Sequence, residues 1–275
     1  MKMIAVGDNV VDCYLDQGLY YPGGNAVNVA VNCKRYGFDG CSYIGVFGDD
    51  DKARHIQRSL EQEGVTFHHS RFVKGISGQP RVRLIDGDRR FVGGPKNTVQ
   101  HTLKLKLTPE DLDFIAQHEI CHTSCYSSIE EELPKIKQSS AISFDFSDYR
   151  DRAYLEKVCP HIRFGFFSGS GLNDAQIKEL MNLAQELGTE IVGVTIGEKG
   201  AVFLKDGVFY KVGTKPITVV DTMGAGDSFI AAFLTSYLKA GDMEQALDEA
   251  ATRAAEACTF YGAYGYPAPF QTEDD

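Results

Sequence analysis

Short apolar segments alternate with amphipathic segments along almost the whole chain, and this alternation restricts the fold more than any other feature. The segments at 2–7, 41–48 and 190–197 are short and apolar, as is typical of buried strands. At 25–37 and 173–188 the apolar residues recur every three or four positions, which predicts helices. Strands that alternate with helices form a parallel sheet with helices on both faces, so the pattern predicts an α/β fold.

The size of the chain fits one such unit. With 275 residues, 43% of them hydrophobic and 24% charged, the chain can bury an ordinary core. We predict a single α/β domain over residues 1–275. Ligands of open parallel sheets bind outside the carboxyl ends of the strands, so each loop that follows a strand is a candidate site.

Charge and cysteine content limit the partners. The formal net charge is −10 and the sequence pI is about 5.2, which argues against nucleic acid as a partner. Seven cysteines, an odd number, are typical of free thiols in a reducing compartment. No run approaches the ~18 apolar residues of a membrane span, and no signal peptide is visible. We expect a cytoplasmic protein with a small-molecule ligand and no membrane partner.

One cluster of residues raises the question of a metal site. Cys121, His122 and Cys125 are close in sequence, but no second pair of ligands completes a zinc site. Buried cysteines at the end of a strand are the favoured interpretation.

Two extended segments interrupt the alternation. Residues 77–94 alternate with period two around an Asp-Gly turn at 86–87, which indicates a β-hairpin, and residues 13–24 are also extended. We predict that these segments, at about 13–22 and 77–97, pair into a small sheet that covers one edge of the main domain. Ordinary surface loops are the alternative.

The stretch "VVDTMGAGDSFIAAF" at 219–233 carries the strongest chemical signal. We expect a strand at 217–220 and a helix at 227–240, joined by Gly224, Ala225 and Gly226. These small residues leave backbone N–H groups uncovered at a helix N-terminus, which suits an anion such as phosphate. The stretch is neither a P-loop nor a dinucleotide fingerprint, and the latter absence argues against a nicotinamide-dependent oxidoreductase.

Asp227 lies among these N–H donors, where a carboxylate opposes an anion. Such a carboxylate suits a site that must deprotonate a hydroxyl next to a phosphate. The alternative is a carboxylate that merely stabilises the helix dipole, and the local sequence leaves both interpretations open. Asp221 is expected to brace the loop rather than to take part in catalysis.

Three motifs in order along the chain resemble those of a known family. "DTMGAGDSF" resembles the C-terminal signature of the ribokinase-like carbohydrate kinases. "PGGNAVNVAVNCKRYG" with "GVFGDD" resembles their N-terminal signature, and "VTIGEKG" resembles their nucleotide loop. The resemblance implies a three-layer sandwich around a mostly parallel sheet, with a small β-sheet lid, and ATP-dependent phosphorylation of a sugar hydroxyl.

The resemblance also implies roles for particular residues. Asp227 would be the general base, and the backbone of Gly224, Ala225 and Gly226 would form the anion hole for the transferring phosphoryl group. The residues expected at the sugar are Asn9, Asp12, Gly23, Gly24 and Asn28. The residues expected at ATP are Thr195, Gly197 and Gly200. Mg²⁺ is expected with ATP, a monovalent cation such as K⁺ could assist, and open strand edges on the lid could pair two subunits into a homodimer.

Further marks indicate a subgroup. "GDNVVD", "GGNAVNVAV", "FDFSD" and Met223, where other members carry Thr, resemble the kinases that phosphorylate the 6-hydroxyl of fructosamines such as fructoselysine. Arg81 and Arg83 could meet the carboxylate of the amino-acid moiety, although a solvated strand face is the favoured interpretation. Asp145 could belong to the site or to a turn. A kinase of ribose, fructose, ketodeoxygluconate or a nucleoside, or a catalytically silent nucleotide sensor, remains the alternative.

One departure from the family leaves the metal ligands unknown. Many members carry an N-x-x-E motif, tied to magnesium and phosphate, after a mid-chain strand. Here "NDAQ" follows that strand, and Gln176 stands three residues after Asn173 where the motif has glutamate.

Overall fold

The computed structural model describes residues 1–85 and 88–270, with the side chains of residues 84–89 excluded. Its strands are β1 (Lys2–Gly7), β2 (Val10–Tyr14), β3 (Leu19–Gly23), β4 (Gly40–Phe47), β5 (Val65–Thr66), β6 (Arg71–Phe72), β7 (Arg81–Ile85), β8 (Asp88–Phe91), β9 (Ile120–Ser124), β10 (Ala141–Asp145), β11 (Phe164–Ser168), β12 (Ile191–Thr195), β13 (Ala201–Lys205), β14 (Val208–Val212) and β15 (Ala268–Pro269). Its α-helices are α1 (Asn25–Arg35), α2 (Asp51–Gln62), α3 (Val99–Thr102), α4 (Pro109–Ile115), α5 (Leu133–Ile136), α6 (Arg152–Val158), α7 (Asp174–Glu186), α8 (Ala225–Ala240) and α9 (Met243–Ala257).

The larger sheet confirms the predicted α/β architecture. Its strands lie in the order β14-β13-β12-β11-β10-β9-β1-β4-β5, and β6 also pairs with β4. The pairs from β12 to β5 are parallel, and only β13 and β14 run antiparallel to their neighbours. The carboxyl ends of β1, β9, β10, β11 and β12 therefore meet at one edge of the sheet.

Helices cover both faces of this sheet and form two separate cores. Helices α1, α2, α8 and α9 bury their apolar side chains on one face, and α4, α5, α6 and α7 do so on the other. Helix α8 packs between α1 and α9, and most of its side chains are buried. The result is the three-layer arrangement expected from the sequence.

The two extended segments that interrupt the alternation do pair with each other. The smaller sheet has the order β15-β3-β2-β7-β8, in which Cys13 pairs with Arg81 and Tyr14 with Val82. Strand β2 begins at Val10, earlier than predicted, and β15 was not predicted at all. The predicted Asp-Gly turn at 86–87 lies outside the described residues.

One predicted element is wrong. Residues 217–220, which lie in the described part of the chain, do not form a strand, and Ile217 and Val219 are exposed. The N–H group of Val220 donates to the carbonyl of Cys258, 2.8 Å away in the segment after α9, so this stretch has no strand as its neighbour. Helix α8 also begins at Ala225, before the predicted Asp227.

The structure also describes the state of the cysteines and the character of the helices. All seven cysteines are free. Within residues 1–85 and 88–270, no helix combines the length and apolar character that a bilayer crossing requires.

Gly24 permits the sharp junction between β3 and α1. Its φ is 103°, a left-handed conformation that other residues rarely adopt. A Cβ at this position would lie 2.8 Å from both the Cα of Asn9 and the carbonyl oxygen of Asp8. Only glycine therefore allows the start of α1 to lie against the end of β1.

We expect Gly24→Ala to lower the free energy of unfolding much more than Gly207→Ala. Both glycines have positive φ, but a Cβ at Gly207 would meet nothing within 4 Å. Backbone strain alone costs about 1 kcal/mol, and the clash at Gly24 adds to it. Urea denaturation of both variants measures the difference. Equal losses in the two variants would show that the close approach at Gly24 is unimportant.

Candidate active site

Asp227 lies in the first turn of α8 and is held by two asparagines of α1. The Nδ2 group of Asn25 donates to its Oδ1 at 2.8 Å, and that of Asn28 donates to its Oδ2 at 2.7 Å. Each carboxylate oxygen thus accepts a hydrogen bond from a different amide, which fixes the plane of the carboxylate. The Oδ1 atom of Asn28 is buried next to this carboxylate, and the structure gives it no hydrogen-bond partner.

Helix α1 reaches this position because Asp8, one residue past β1, binds its N-terminus. The Asp8 carboxylate accepts from the backbone N–H groups of Asn25 at 2.8 Å and Ala26 at 3.3 Å. Ser124 and Ser127 donate to the same carboxylate. Burial raises the pKa of Asp8 although these hydrogen bonds oppose the shift. Asp8 therefore has a structural role at the start of α1.

Asn25 also connects Asp227 to Asp145 at the carboxyl end of β10. The same Nδ2 group donates to Asp145 Oδ2 at 2.9 Å, while Asp145 Oδ1 accepts from the backbone N–H of Ser147 at 2.8 Å. Burial, and then the negative charge of Asp227, raises the pKa of Asp145 to about 7. Two carboxyl groups thus share one amide in a partly buried site.

His122 of β9 completes this cluster. Its Nε2 lies 2.9 Å from Asn25 Oδ1 and its Nδ1 lies 2.9 Å from Ser143 Oγ. Burial lowers the pKa of His122 to about 3, so the ring is neutral. Its neighbour Cys121 packs in the apolar core on the other face of the sheet, and burial raises its pKa to about 12. Both ring nitrogens of His122 are engaged by protein groups, which agrees with the structural interpretation of these residues.

The loop that the sequence predicts as an anion site leads into the start of α8. Gly224 is the N-cap and has a left-handed conformation, with φ 72° and ψ 2°. A Cβ there would lie 2.5 Å from the Cβ of Ala263, whereas a Cβ on Gly226 would meet nothing within 4 Å. The loop is therefore packed on one side and open at Gly226. The N–H group of Ala225 donates to the carbonyl of Thr222 at 3.3 Å. The N–H groups of a first helical turn otherwise have no partner within the helix, which suits the binding of an anion.

Asp221 braces this loop, in line with the expectation from the sequence. Its carboxylate is fully buried and accepts from the N–H groups of Met223 and Gly262, both at 3.0 Å. The phenol of Tyr14, on β2 of the smaller sheet, donates to Asp221 Oδ2. One carboxylate thus joins the smaller sheet, the segment after α9 and the loop at 222–226, which we call the anion loop.

The residues expected at the sugar lie where β2, β3 and α1 meet. Asp12 is buried on β2, and a Cβ at Gly23 would lie 2.3 Å from its Oδ2, so Gly23 makes room for this carboxylate. Asn9 is fully buried, and its Nδ2 donates to Tyr43 Oη at 2.8 Å and to the carbonyl of Val46 at 2.9 Å. In this conformation the amide of Asn9 binds protein groups, and a contact with substrate stays a prediction.

The residues expected at ATP follow β12 at the same edge of the sheet. Thr195 ends the strand, and its hydroxyl donates to the carbonyl of Phe167 at 3.4 Å. Gly197 begins a short 3₁₀ helix (Gly197–Lys199), and Gly200 follows it. Exposed apolar side chains lie on two segments joined by the Val220–Cys258 hydrogen bond: Ile217, Val219, Phe260 and Tyr261.

The arginines of β7 do not lie on the face of the smaller sheet that carries Asp12. Arg81 pairs with Cys13, so Arg81 and Arg83 share the face of Cys13, while Asp12 and Tyr14 point to the other face. The pairing thus supports a solvated strand face for Arg81 and Arg83, which the sequence favoured, rather than a contact of these arginines with substrate.

Sequence reasoning missed Asn25 and His122. Asn25, Asn28 and Asn32 recur at helical spacing on α1 and are all buried, although only the apolar residues of this helix had indicated its buried face. Polar residues spaced along a buried helix face were the available signal for Asn25. For His122 the signal was absent, because its partner lies 97 residues away in sequence.

We expect Asp145→Asn to stabilise the protein more at pH 8 than at pH 5. The pKa of Asp145 is raised to about 7 in the folded chain, against an ordinary value of 3.8. Between these values the folded chain binds a proton that the unfolded chain has released, so the free energy of unfolding falls as the pH rises through this window. Asparagine carries no charge, so the variant does not lose free energy of unfolding in this pH window.

Thermal unfolding at the two pH values tests this, since 1 kcal/mol shifts Tm by about 2–4 °C in a chain of this size. Asp148→Asn is the matched control, because Asp148 is exposed and lies three residues further along. If Asp145→Asn raised Tm equally or more at pH 5 than at pH 8, the raised pKa of Asp145 would be contradicted.

Three comparisons bear on this geometry. Residues 2–270 match the family model described as "pfkB family carbohydrate kinase". The chain is 44% identical over 275 residues to the fructosamine kinase FrlD of Bacillus subtilis, covering all of this chain and 96% of that protein. It is 35% identical over 267 residues to the fructoselysine 6-kinase of Escherichia coli, covering 96% of this chain and all of that protein.

The fold is shared with solved ribokinases. A ribokinase II from Escherichia coli, solved in complex with ATP and Mg²⁺, superimposes with a TM-score of 0.78 at 21% sequence identity, covering 96% of this chain and 94% of that one. The ribokinase-like fold is thereby confirmed. The family model spans nearly the whole chain, and the chain belongs to the pfkB family of carbohydrate kinases.

Proposed function

We propose that this kinase transfers the γ-phosphoryl group of ATP to the terminal 6-hydroxyl of a fructosamine such as fructoselysine, with Asp227 as the general base. The observation that carries the mechanism is the position of Asp227, which two amides hold beside the open N-terminus of α8. We infer the substrate class from the relatives at 44% and 35% identity, which are named for fructosamine and fructoselysine.

Asp227 would remove the proton of the acceptor hydroxyl while the start of α8 binds the phosphoryl oxygens. Phosphoryl transfer depends on positioning and charge stabilisation more than on covalent chemistry, and the N–H groups of Gly224, Ala225 and Gly226 supply the latter. Asn28 Oδ1, the buried acceptor next to Asp227, suits a donor such as a sugar hydroxyl. This gives Asn28 two contacts, one to the base and one to the substrate.

The smaller sheet would act as the lid over the sugar. Asp12 lies on its inner face together with Tyr14, which contacts the brace of the anion loop. Asp12 is therefore the residue we assign to the sugar hydroxyls, with Gly23 and Gly24 shaping the floor beneath it. A closed sheet excludes water, which would otherwise compete as the phosphoryl acceptor.

ATP would lie along the carboxyl edge from Thr195, Gly197 and Gly200 to the start of α8. The exposed side chains of Ile217, Val219 and Phe260 offer apolar contacts to the adenine ring. Mg²⁺ bound with ATP neutralises phosphate charge. Within the described residues no group of three or more His, Cys, Asp or Glu could hold a metal by itself, so phosphate oxygens and water would supply most ligands.

The "NDAQ" segment, which stands where the family has its metal motif, caps a helix in this structure. Asn173 Oδ1 accepts from the N–H group of Gln176 at 3.0 Å, and Gln176 Oε1 accepts from that of Asn173 at 2.9 Å, so both side chains cap α7. A role for K⁺ and a homodimer through the smaller sheet both stay predictions.

We expect Asp227→Asn to lower kcat by about 10²- to 10⁴-fold, because asparagine cannot accept the proton. Binding of ATP and of the sugar should change little, since the shape of the site is kept. A coupled assay gives kcat, and calorimetry gives the binding constants. Asp242→Asn is the control, because Asp242 caps the neighbouring helix α9. Retention of a tenth of the wild-type kcat would exclude Asp227 as the base.

We expect fructoselysine to be the best acceptor in a coupled ATP assay that also contains fructose, ribose, ketodeoxygluconate and nucleosides. A kcat/KM at least tenfold above that of any plain sugar would support the substrate class. If the enzyme turned over plain sugars alone, it would still be a carbohydrate kinase, but a fructosamine would be excluded as its acceptor. A failure of all acceptors would favour a catalytically silent nucleotide sensor.

A further inference from the structure

We propose that His122 is a positioning residue for the phosphoryl transfer: through Asn25 it fixes the one amide orientation that holds Asp227 and Asp145 side by side. The inference rests on the proposed function, in which Asp227 is the base. His122 does not reach the substrate, and it acts only through the chain of hydrogen bonds from Ser143 to the two carboxyl groups.

The hydrogen-bond partners determine the tautomer of His122. The Oδ1 atom of Asn25 can only accept, so the ring nitrogen 2.9 Å from it, Nε2, must carry the proton. The ring is neutral because burial lowers its pKa, so Nδ1 has no proton and accepts from the hydroxyl of Ser143 at 2.9 Å. Ser143 therefore donates to His122, and His122 donates to Asn25.

This donation fixes the amide of Asn25. With Oδ1 turned toward His122, both hydrogens of Nδ2 point to carboxylate oxygens, at 2.9 Å on Asp145 and 2.8 Å on Asp227. A flipped amide would place its oxygen against two carboxylates and its N–H groups against the N–H of the imidazole. In the observed tautomer the flipped amide loses its hydrogen bond to His122 and both hydrogen bonds to the carboxyl groups, so His122 and the two carboxyl groups together select the productive orientation.

The orientation matters because an amide donor favours the ionised form of a carboxylate. The base must be ionised before it can accept the proton of the substrate. Two other titratable groups lie near Asp145. The charge of Asp8, one residue past β1, contributes to the raised pKa of Asp145, and the charge of Asp145 contributes to the raised pKa of Cys125, one residue past β9.

We expect His122→Leu to lower kcat by roughly 10- to 100-fold, because a misplaced base reduces the rate by such factors. The KM for ATP should stay unchanged, since no ATP contact is altered. The acidic limb of the kcat profile should move upward by about one pH unit, because a misoriented amide no longer favours the ionised carboxylates. His122→Gln, whose amide can donate to Asn25, should restore most of the rate and the wild-type profile.

The matched control is His118→Leu. His118 is also buried and bound through both ring nitrogens, to Ser42 and to the carbonyl of Phe114, but it lies at the opposite end of β9. This variant should lose stability without a shift of the pH profile. If both leucine variants keep the wild-type profile, or if His122→Gln is no better than His122→Leu, the positioning role is rejected.

Nitrogen NMR of ¹⁵N-histidine-labelled wild-type protein provides a readout that does not depend on catalysis or on the folding of a variant. We expect a neutral Nε2–H tautomer for His122 that persists to pH 5. An Nδ1–H tautomer or a charged ring would overturn the proposal. If Asp227→Asn stays active while the Nε2–H tautomer is observed, the base assignment is wrong and the amide orientation still stands.

Discussion

The N-terminus of α1 is the constraint on which the rest of the site depends. Asp8 binds its first N–H groups, and Gly24 allows it to lie against the end of β1. Because α1 begins there, Asn25 and Asn28 face the first turn of α8 and hold Asp227. A displacement of this one helix end would disturb the amide groups that hold both Asp145 and Asp227, the proposed base. The site is therefore rigid where the chemistry requires it, on a helix packed into a core rather than on a loop.

Most of the architecture was predictable because it follows from local patterns. The alternation of strands and helices led to the parallel sheet, and the extended segments led to the smaller sheet. The strand expected at 217–220 failed because β-branched residues favour a strand only where a neighbouring strand is available, and Val220 meets a loop carbonyl instead. The Asn25–His122 contact could not be predicted from sequence, because it joins side chains that only the finished sheet brings together.

The cluster at Asn25 illustrates how stability and chemistry oppose each other in one place. Buried polar groups are costly unless each finds a partner, and here a serine, a histidine, an amide and two carboxyl groups satisfy one another. The raised pKa of Asp145 marks the remaining cost of burying this acid and of placing it beside Asp227. Such a cost is expected at a functional site, and the close packing of α1, α8 and α9 supplies the stability that offsets it.

The hydrogen bond from Tyr14 to Asp221 makes the two halves of the cleft thermodynamically dependent on each other. Tyr14 and Asp12 share one strand face, and Asp221 holds the N–H group of Met223 just before the anion loop. Under the proposed function, an acceptor that drew the smaller sheet inward would also order this loop, and an anion that ordered the loop would make closure of the sheet easier. Linkage requires the two effects to be equal, so sugar and nucleotide should each raise the affinity of the enzyme for the other.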